Sequence, residues 1–362
     1  MSTALLTRRR VLGSAALGVV AWPAHAADAT DRPDERRFGA LQRPALTVRQ
    51  PAKVMLQAAA LAGRRVVAVG ERGVVALSDD GAATWRQARG VPVSVTLTAV
   101  RFIDERRGWA IGHGGVVLAS HDGGEQWQLQ ADGRRLASLA ELSAQQQADR
   151  PALAKEAALL MADGPDKPLL DLHVASDGRL FVIGAYNLAF DSSDFGANWR
   201  AALARMNNPK SQHLYALAVR GQTWLIAGEQ GLLMRSRDGG QSFQTLASPY
   251  AGSWFALCAA GDQHWVVAGL RGHVFRSSDD GESWTALEGA PPASFVSATA
   301  MPDGAVLLAN QAGQLFTTQG GPALAQLPLP NLPQLTQALV LPGGDLLALG
   351  MTGALRLPGK RS

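Results

Sequence analysis

The apolar residues of this chain come in short runs separated by turns, and the order of runs repeats. From Leu41 onward each unit has an apolar run, a short turn, an apolar run, a Gly-x-x-Gly-like turn, an apolar run, a turn containing Asp, and a strand that begins on an aromatic residue. One unit reads WFALCAAG, QHWVVAG, GHVFRSS, SWTALEG. Such runs, bounded by Gly, Asp and Ser, predict four short β-strands per unit and little helix. Aligning the units on the residue that closes each Asp turn gives Trp85, Trp127, Trp199, Phe243 and Trp284, spaced 42, 72, 44 and 41 residues apart. A weaker copy places Leu324 in the same slot, and a last partial copy runs from 345 to 360. Self-similarity at this period marks a repeat architecture, and four strands per unit is the blade of a propeller. The predicted fold is therefore all-β: a seven-bladed β-propeller of four-stranded blades over 41–362. The seventh unit has only three strands' worth of chain. The strand-like stretch Pro44–Val48 is expected to supply its outer strand and close the ring, since an open edge invites mispairing.

The 72-residue gap holds a segment with a different period. Residues 131–168, between blades 2 and 3, predict a short helical insertion, with Pro151 starting a second helix. It is expected either to bind a partner or to decorate the rim.

The Asp turns follow Ser-x-Asp-x-Gly-x-x-Trp. They comprise Ser78, Asp80 and Trp85; Ser120, Asp122 and Trp127; Ser192, Asp194 and Trp199; Ser236, Asp238 and Phe243; and Ser277, Asp279 and Trp284. The carboxylate can tie the turn by accepting backbone N–H groups two residues on, glycine admits positive φ, and the aromatic buries area between blades. This pattern resembles the Asp boxes (BNR repeats) of sialidase-like propellers. There it is structural and lies on the hairpin between third and fourth strands. A calcium loop is not expected, because regularly alternating ligands and a closing Glu are missing.

The turns between second and third strands should gather on the opposite face, together with the blade-to-blade crossings and the insertion. That face carries the candidate partner-binding residues Arg72, His113, Tyr186, Glu229 and Arg271.

The first residues belong to a different class. Arg8, Arg9 and Arg10 precede an uncharged run to Trp22, and Ala24-His25-Ala26 is a small-x-small cleavage pattern. Residues 1–26 are expected to be a signal peptide, of twin-arginine type or an ordinary secretory one, and 27–40 a flexible leader. The expected location is periplasmic or otherwise exported, with a thylakoid-lumen-like compartment in a phototrophic host. The formal net charge is +4, three arginines and no acid lie in 1–26, and the remainder is left near +1. With no concentrated basic patch, nucleic acid is not an expected partner. Cys258 is the only cysteine, so no intramolecular disulfide forms.

The stretch LTAVRFIDERRGWAIGHGGVVLASHDGGEQW (97–127) resembles the repeat of the photosystem II stability/assembly factor family, through Phe102, Asp104, Gly108, Trp109, Gly112, Gly115, Asp122, Gly123, Gly124 and Trp127. The resemblance implies a lumenal or periplasmic seven-bladed propeller that binds a newly made membrane subunit of photosystem II during assembly. It also implies an arginine-lined surface. Arg72 and Arg271 stand in the relevant turns, whereas other blades put His113, Tyr186 and Gln230 there.

The alternative is a sialidase-like glycosidase or a carbohydrate-binding propeller. A sialidase needs three arginines, a Tyr–Glu nucleophile pair and a further carboxylic acid. Only Tyr186, Tyr215 and Tyr250 are available, no Phe-Arg-Ile-Pro-like motif precedes the first blade, and Asp171, Asp191 and Glu229 are the candidate carboxylates. The histidines lack the spacing of a helical metal site, and Cys258 falls in an apolar run. The expectation is a non-enzymatic scaffold with a protein partner in or near a membrane, no cofactor, no metal, no small-molecule substrate, and a monomeric state.

Overall fold

The computed structural model describes residues 38–261, 263–318 and 321–359. Residues 1–37, which include the expected signal peptide and most of the expected leader, lie outside the described residues. Seven antiparallel sheets follow one another along the chain, six of four strands and one of three. The inner strands are Leu56–Ala62, Leu97–Phe102, Leu169–Val174, Leu214–Arg220, Trp254–Ala260, Phe295–Ala300 and Leu335–Val340. Each packs on the inner strand of the next blade, and the last packs on the first.

Second strands such as Gly108–Gly112 and Leu180–Gly184 are buried at every position. They lie between two neighbouring strands and between two neighbouring blades, which accounts for their nearly unbroken apolar sequence. Fourth strands are short and more exposed, as at Arg86–Gln87 and Thr285–Ala286.

Seven apolar clusters fill the seven seams. The residue closing each Asp turn enters the seam between its own blade and the one before. Trp127 joins blades 1 and 2, Trp199 blades 2 and 3, Phe243 blades 3 and 4. Trp284, Leu324 and Trp85 do the same between 4 and 5, 5 and 6, and 7 and 1.

Closure of the ring differs from the expectation. Pro44–Val48 forms no strand, and blade 7 has three strands among the described residues. The backbone of this stretch is engaged by blade 1: Ala45 N–H donates to the Val91 carbonyl and Leu46 N–H to that of Arg72. Val48 N–H donates to Gln87 Oε1, and Gln87 Nε2 donates back to the Leu46 carbonyl. The ring is closed instead by an apolar seam, including Leu56, Val66, Leu347 and Leu349. Two cross-seam bonds add to it, from Thr336 Oγ1 to the Leu56 carbonyl (2.7 Å) and from Ala59 N–H to Gln337 Oε1 (2.6 Å). Gly39–Leu41 is a 3₁₀ turn whose Leu41 is buried between blades 1 and 2.

The insertion is a helical hairpin, α1 (Gly133–Gln146) and α2 (Pro151–Asp163). Asp132 caps α1 by accepting Arg134 and Arg135 N–H, and Pro151 opens α2. Leu136, Ala140, Ala144, Ala157 and Leu160 join the seam between blades 2 and 3, so the hairpin is fixed to the rim. Leu142, Leu159 and Met161 remain exposed. Among the described residues no helix is long and apolar enough to cross a membrane.

Candidate binding face at the channel mouth

Each Asp turn is a closed hydrogen-bond unit. In blade 5, Ser277 Oγ donates to Asp279 Oδ1 (2.8 Å) and accepts Gly281 N–H (2.9 Å). Asp279 in turn accepts Ser283 N–H (2.9 Å) and the Ser283 hydroxyl (2.6 Å). The N–H groups bound by the Asp carboxylates lie three and four residues on, not two, as at Ala83 and Thr84 on Asp80. The serine hydroxyl takes the nearer glycine or alanine N–H instead. Hydroxyl donors hold the carboxyls of Asp80 (from Thr84) and Asp279 (from Ser283) down to about 2. With both carboxylate oxygens of Asp80 and Asp279 engaged inside their turns, these residues serve the hairpin between third and fourth strands.

The opposite face is organised by a bulge repeated seven times. In every inner strand the ladder to the second strand skips one residue: Gln57, Thr98, Leu170, Tyr215, Phe255, Val296 and Thr336. A bulge adds an unpaired residue and re-aims its side chain. All seven line a single cavity of about 460 Å³ at the mouth of the central channel. The second strand ends opposite the bulge on glycine in six blades. At Gly70 a Cβ would run into the Met55 carbonyl, and at Gly228 into that of His213. Blade 6 uses Asn310, fully buried, whose side chain bonds Gln314 and the Ala312 N–H.

The turn that follows carries the residues singled out in the sequence. Arg72, Tyr186 and Arg271 occupy the left-handed position of their turns (φ 53°, 53° and 57°), as Gln230 does in blade 4. Side chains of the following blade hold three of these strained N–H groups. Tyr186 N–H donates to His213 Nδ1 (2.9 Å), Gln230 N–H to Ser253 Oγ (3.2 Å), and Arg271 N–H to Ser294 Oγ (3.4 Å). His113 and Glu229 are the first residues of their turns.

These residues do not form one patch. Tyr186 is brought to His213 (ring centroids 4.5 Å apart), His213 to Tyr215 (5.9 Å) and Tyr215 to Phe255 (5.3 Å). Lys167 Nζ sits 5.1 Å from the Tyr186 ring. Glu229 lies beside this arc, its Oε2 accepting His213 N–H at 3.2 Å. An aromatic path thus runs from the rim of blade 3, where Tyr186 is 53% exposed, down to the channel at blade 5. Arg72 and Arg271, by contrast, stand on separate blades.

Below the mouth, Arg101 Nη2 meets Asp171 Oδ1 at 3.0 Å. Asp171 also accepts Leu172 N–H (2.8 Å) and Leu217 N–H (2.9 Å), so one carboxylate ties blades 2, 3 and 4. Asp191 is paired with Arg200 and Arg205, and Glu229 faces His213. The three candidate carboxylates therefore have three separate sets of partners. Burial, aided by the charge of Glu229, pushes the Tyr215 phenol above its ordinary value, the reverse of what an activated phenolate nucleophile needs. Among the described residues no three His, Cys, Asp or Glu side chains converge as metal ligands.

The bulge ring was not foreseen in the sequence. Its signal is a large apolar residue, then a free position, then a small or polar residue at the head of each unit: Leu56-Gln57-Ala58, Leu214-Tyr215-Ala216, Phe295-Val296-Ser297.

Residues 157–322 match the family described as Photosynthesis system II assembly factor YCF48. A 77-residue stretch is 31% identical to the photosystem II assembly lipoprotein Ycf48 of Synechococcus sp. (strain CC9902), covering 21% of this chain and 23% of that relative. Among solved structures, YCF48 bound to D1 peptide superposes with a TM-score of 0.64 at 17% identity, covering 88% of this chain and 100% of that one. The virginiamycin B lyase of Staphylococcus aureus gives 0.65 at 9% identity, over 87% and 97%. Overall shape therefore matches an assembly factor and an enzyme equally well, and only the repeat's residues separate the two.

Proposed function

We propose that this propeller, which carries the repeat of the photosystem II assembly factor family, is a non-enzymatic exported scaffold that grips an exposed segment of a client protein. The client is a membrane protein or a complex under assembly, by analogy with the family's printed role and with the D1 peptide bound by the YCF48 structure. The protein works outside the cytoplasm as a monomer, without a cofactor. The grip is the channel mouth, and the observation that carries this reading is the continuous arc Tyr186–His213–Tyr215–Phe255. Aromatic side chains with polar tips supply large contact area at small entropic cost, which suits a peptide-binding surface. Lys167 and Glu229 flank the arc and give it polarity. Arg72, His113 and Arg271 form an outer rim that steers rather than anchors.

The test is affinity capture from detergent-solubilised host membranes with the mature protein and with a Tyr186→Ala/Tyr215→Ala variant, read by mass spectrometry. A stoichiometric membrane-protein partner lost by the variant supports the reading. Equal recovery with both proteins places the contact elsewhere, and turnover of a fluorogenic sialoside would replace the scaffold by a glycosidase.

A further inference from the structure

Six of the seven seams are keyed by a residue from the Asp-turn strand of the following blade, as given above. The seventh, between blades 6 and 7, has no such key among the described residues. Blade 7 ends with the edge strand Gly353–Leu357 among the described residues. In place of the key there is a mostly apolar cavity of about 530 Å³, lined by Leu307, Thr317 and Leu327 of blade 6 and by Val340, Leu346 and Pro358 of blade 7.

The other seams show what this cavity is shaped for. In blade 5 the Asp turn lies on blade 4: Gly281 is packed against Leu246 and Leu225. Leu225 pairs with Arg235 across the ladder as Leu307 pairs with Thr317. Leu246 N–H donates to the Leu233 carbonyl as Leu327 N–H donates to that of Leu315. The cavity walls are thus the equivalents of the surface on which an Asp turn sits. The polar pattern agrees. Arg235 Nη1 donates to the carbonyl of Asp280 in the next blade's Asp turn (3.0 Å), whereas the equivalent Thr317, only 6% exposed, has an Oγ1 with no partner among the described residues.

We propose that the blade 6–blade 7 cavity and the adjoining edge strand form a second protein-binding site, which takes an extended segment of a partner protein as the missing fourth strand. The segment pairs with Gly353–Leu357 by main-chain hydrogen bonds, places a large aromatic side chain in the cavity, and offers a backbone or side-chain group to Thr317 Oγ1. The chemistry of the occupant is read from the six filled seams, where the key is Trp, Phe or Leu. Strand addition at a free edge supplies affinity through the backbone, and the pocket supplies selectivity. This site lies on the Asp-turn face and does not rest on the channel mouth.

The chain contains its own probe. A synthetic peptide of residues 279–288 (DDGESWTALE) carries the blade 5 Asp turn and its key, Trp284. Calorimetric titration of this peptide into the full mature chain should show saturable binding. Replacing its tryptophan by alanine should weaken that binding by about tenfold or more. Hydrogen exchange should slow in Gly353–Leu357 on binding. An Ala305→Trp protein, whose new side chain fills the cavity, should lose the peptide, whereas Tyr186→Ala/Tyr215→Ala should retain it. If Ala305→Trp fails to fold, the paired peptides still decide. The proposal is overturned by absence of saturable binding, by equal binding of the two peptides, or by protection away from blade 7. A dimer of the chain that Ala305→Trp dissociates would assign the groove to a second copy and overturn it as well.

Discussion

Replacing Arg101 by methionine separates the architectural role of the channel wall from a binding role. Asp171 is almost wholly buried, and burial pushes its carboxyl above the ordinary range despite Arg101 at 3.0 Å and two backbone donors. Removing one partner of a buried pair costs roughly 3–5 kcal/mol. Arg101 keeps 40% of its side chain exposed, so solvent screening brings the figure to roughly 2 kcal/mol. The pH dependence is signed. With a folded pKa above the unfolded one, the folded state binds more protons inside that window, and stability falls as pH rises through it. Loss of the guanidinium lifts the folded value further and extends the window upward. Urea unfolding of Arg101→Met should therefore show a larger deficit against the parent at pH 8 than at pH 5, with an unchanged m-value. Equal deficits at the two pH values would refute the uncompensated-charge argument and leave only lost packing.

The other expectations follow from single contacts. Trp127→Ala opens the seam between blades 1 and 2, where the indole is 4% exposed, and should cost about 3–5 kcal/mol in chemical denaturation. Ser277→Ala strands the buried Gly281 N–H and should cost about 1–3 kcal/mol, measurable as a lowered urea midpoint. Asp80 and Asp279, held near 2 by hydroxyl donors, contribute stability that is complete above about pH 4 and is lost toward pH 2; Asp279→Asn should flatten that acid limb in a pH-resolved melt. Burial pushes the Cys258 thiol up to about 11, so iodoacetamide should label it only as fast as the protein unfolds.

The number of blades was legible because the blades repeat the same local demands: an apolar second strand buried on both sides in all seven, a glycine under the bulge in six and a Ser-x-Asp turn in five. The closure was not. Pro44–Val48 has strand-like composition, but composition does not say which edge receives it, and Gln87 binds this stretch to blade 1 from both directions. The binding face was half legible. The turns that hold Arg72, Tyr186 and Arg271 could be placed on one side from strand order alone. Their grouping could not, because it depends on His213, a residue of the next blade's lead-in, which both accepts the Tyr186 N–H and carries the ring that joins Tyr186 to Tyr215.

The bulge explains why one architecture can serve unrelated partners. At Leu56, Leu214 or Trp254 the inner strand must be apolar, since those residues are fully buried in the seams. One residue later the ladder is broken, and Gln, Thr, Leu, Tyr, Phe and Val are all accommodated, Thr98 and Thr336 also bonding a carbonyl of the next blade. Apolar packing of the seams and channel chemistry are thus carried by adjacent positions. The resemblance in shape to both an assembly factor and a lyase follows from the first set of positions, whereas the second set decides what the channel mouth offers to a ligand. In this chain the second set gathers its two aromatic rings on neighbouring blades, 4 and 5, directly below the exposed Tyr186. A client segment held there would enter from the hairpin side and contact that arc first, so substitution of Thr98 or Thr336 on the far side of the ring should weaken capture less than substitution of Tyr215.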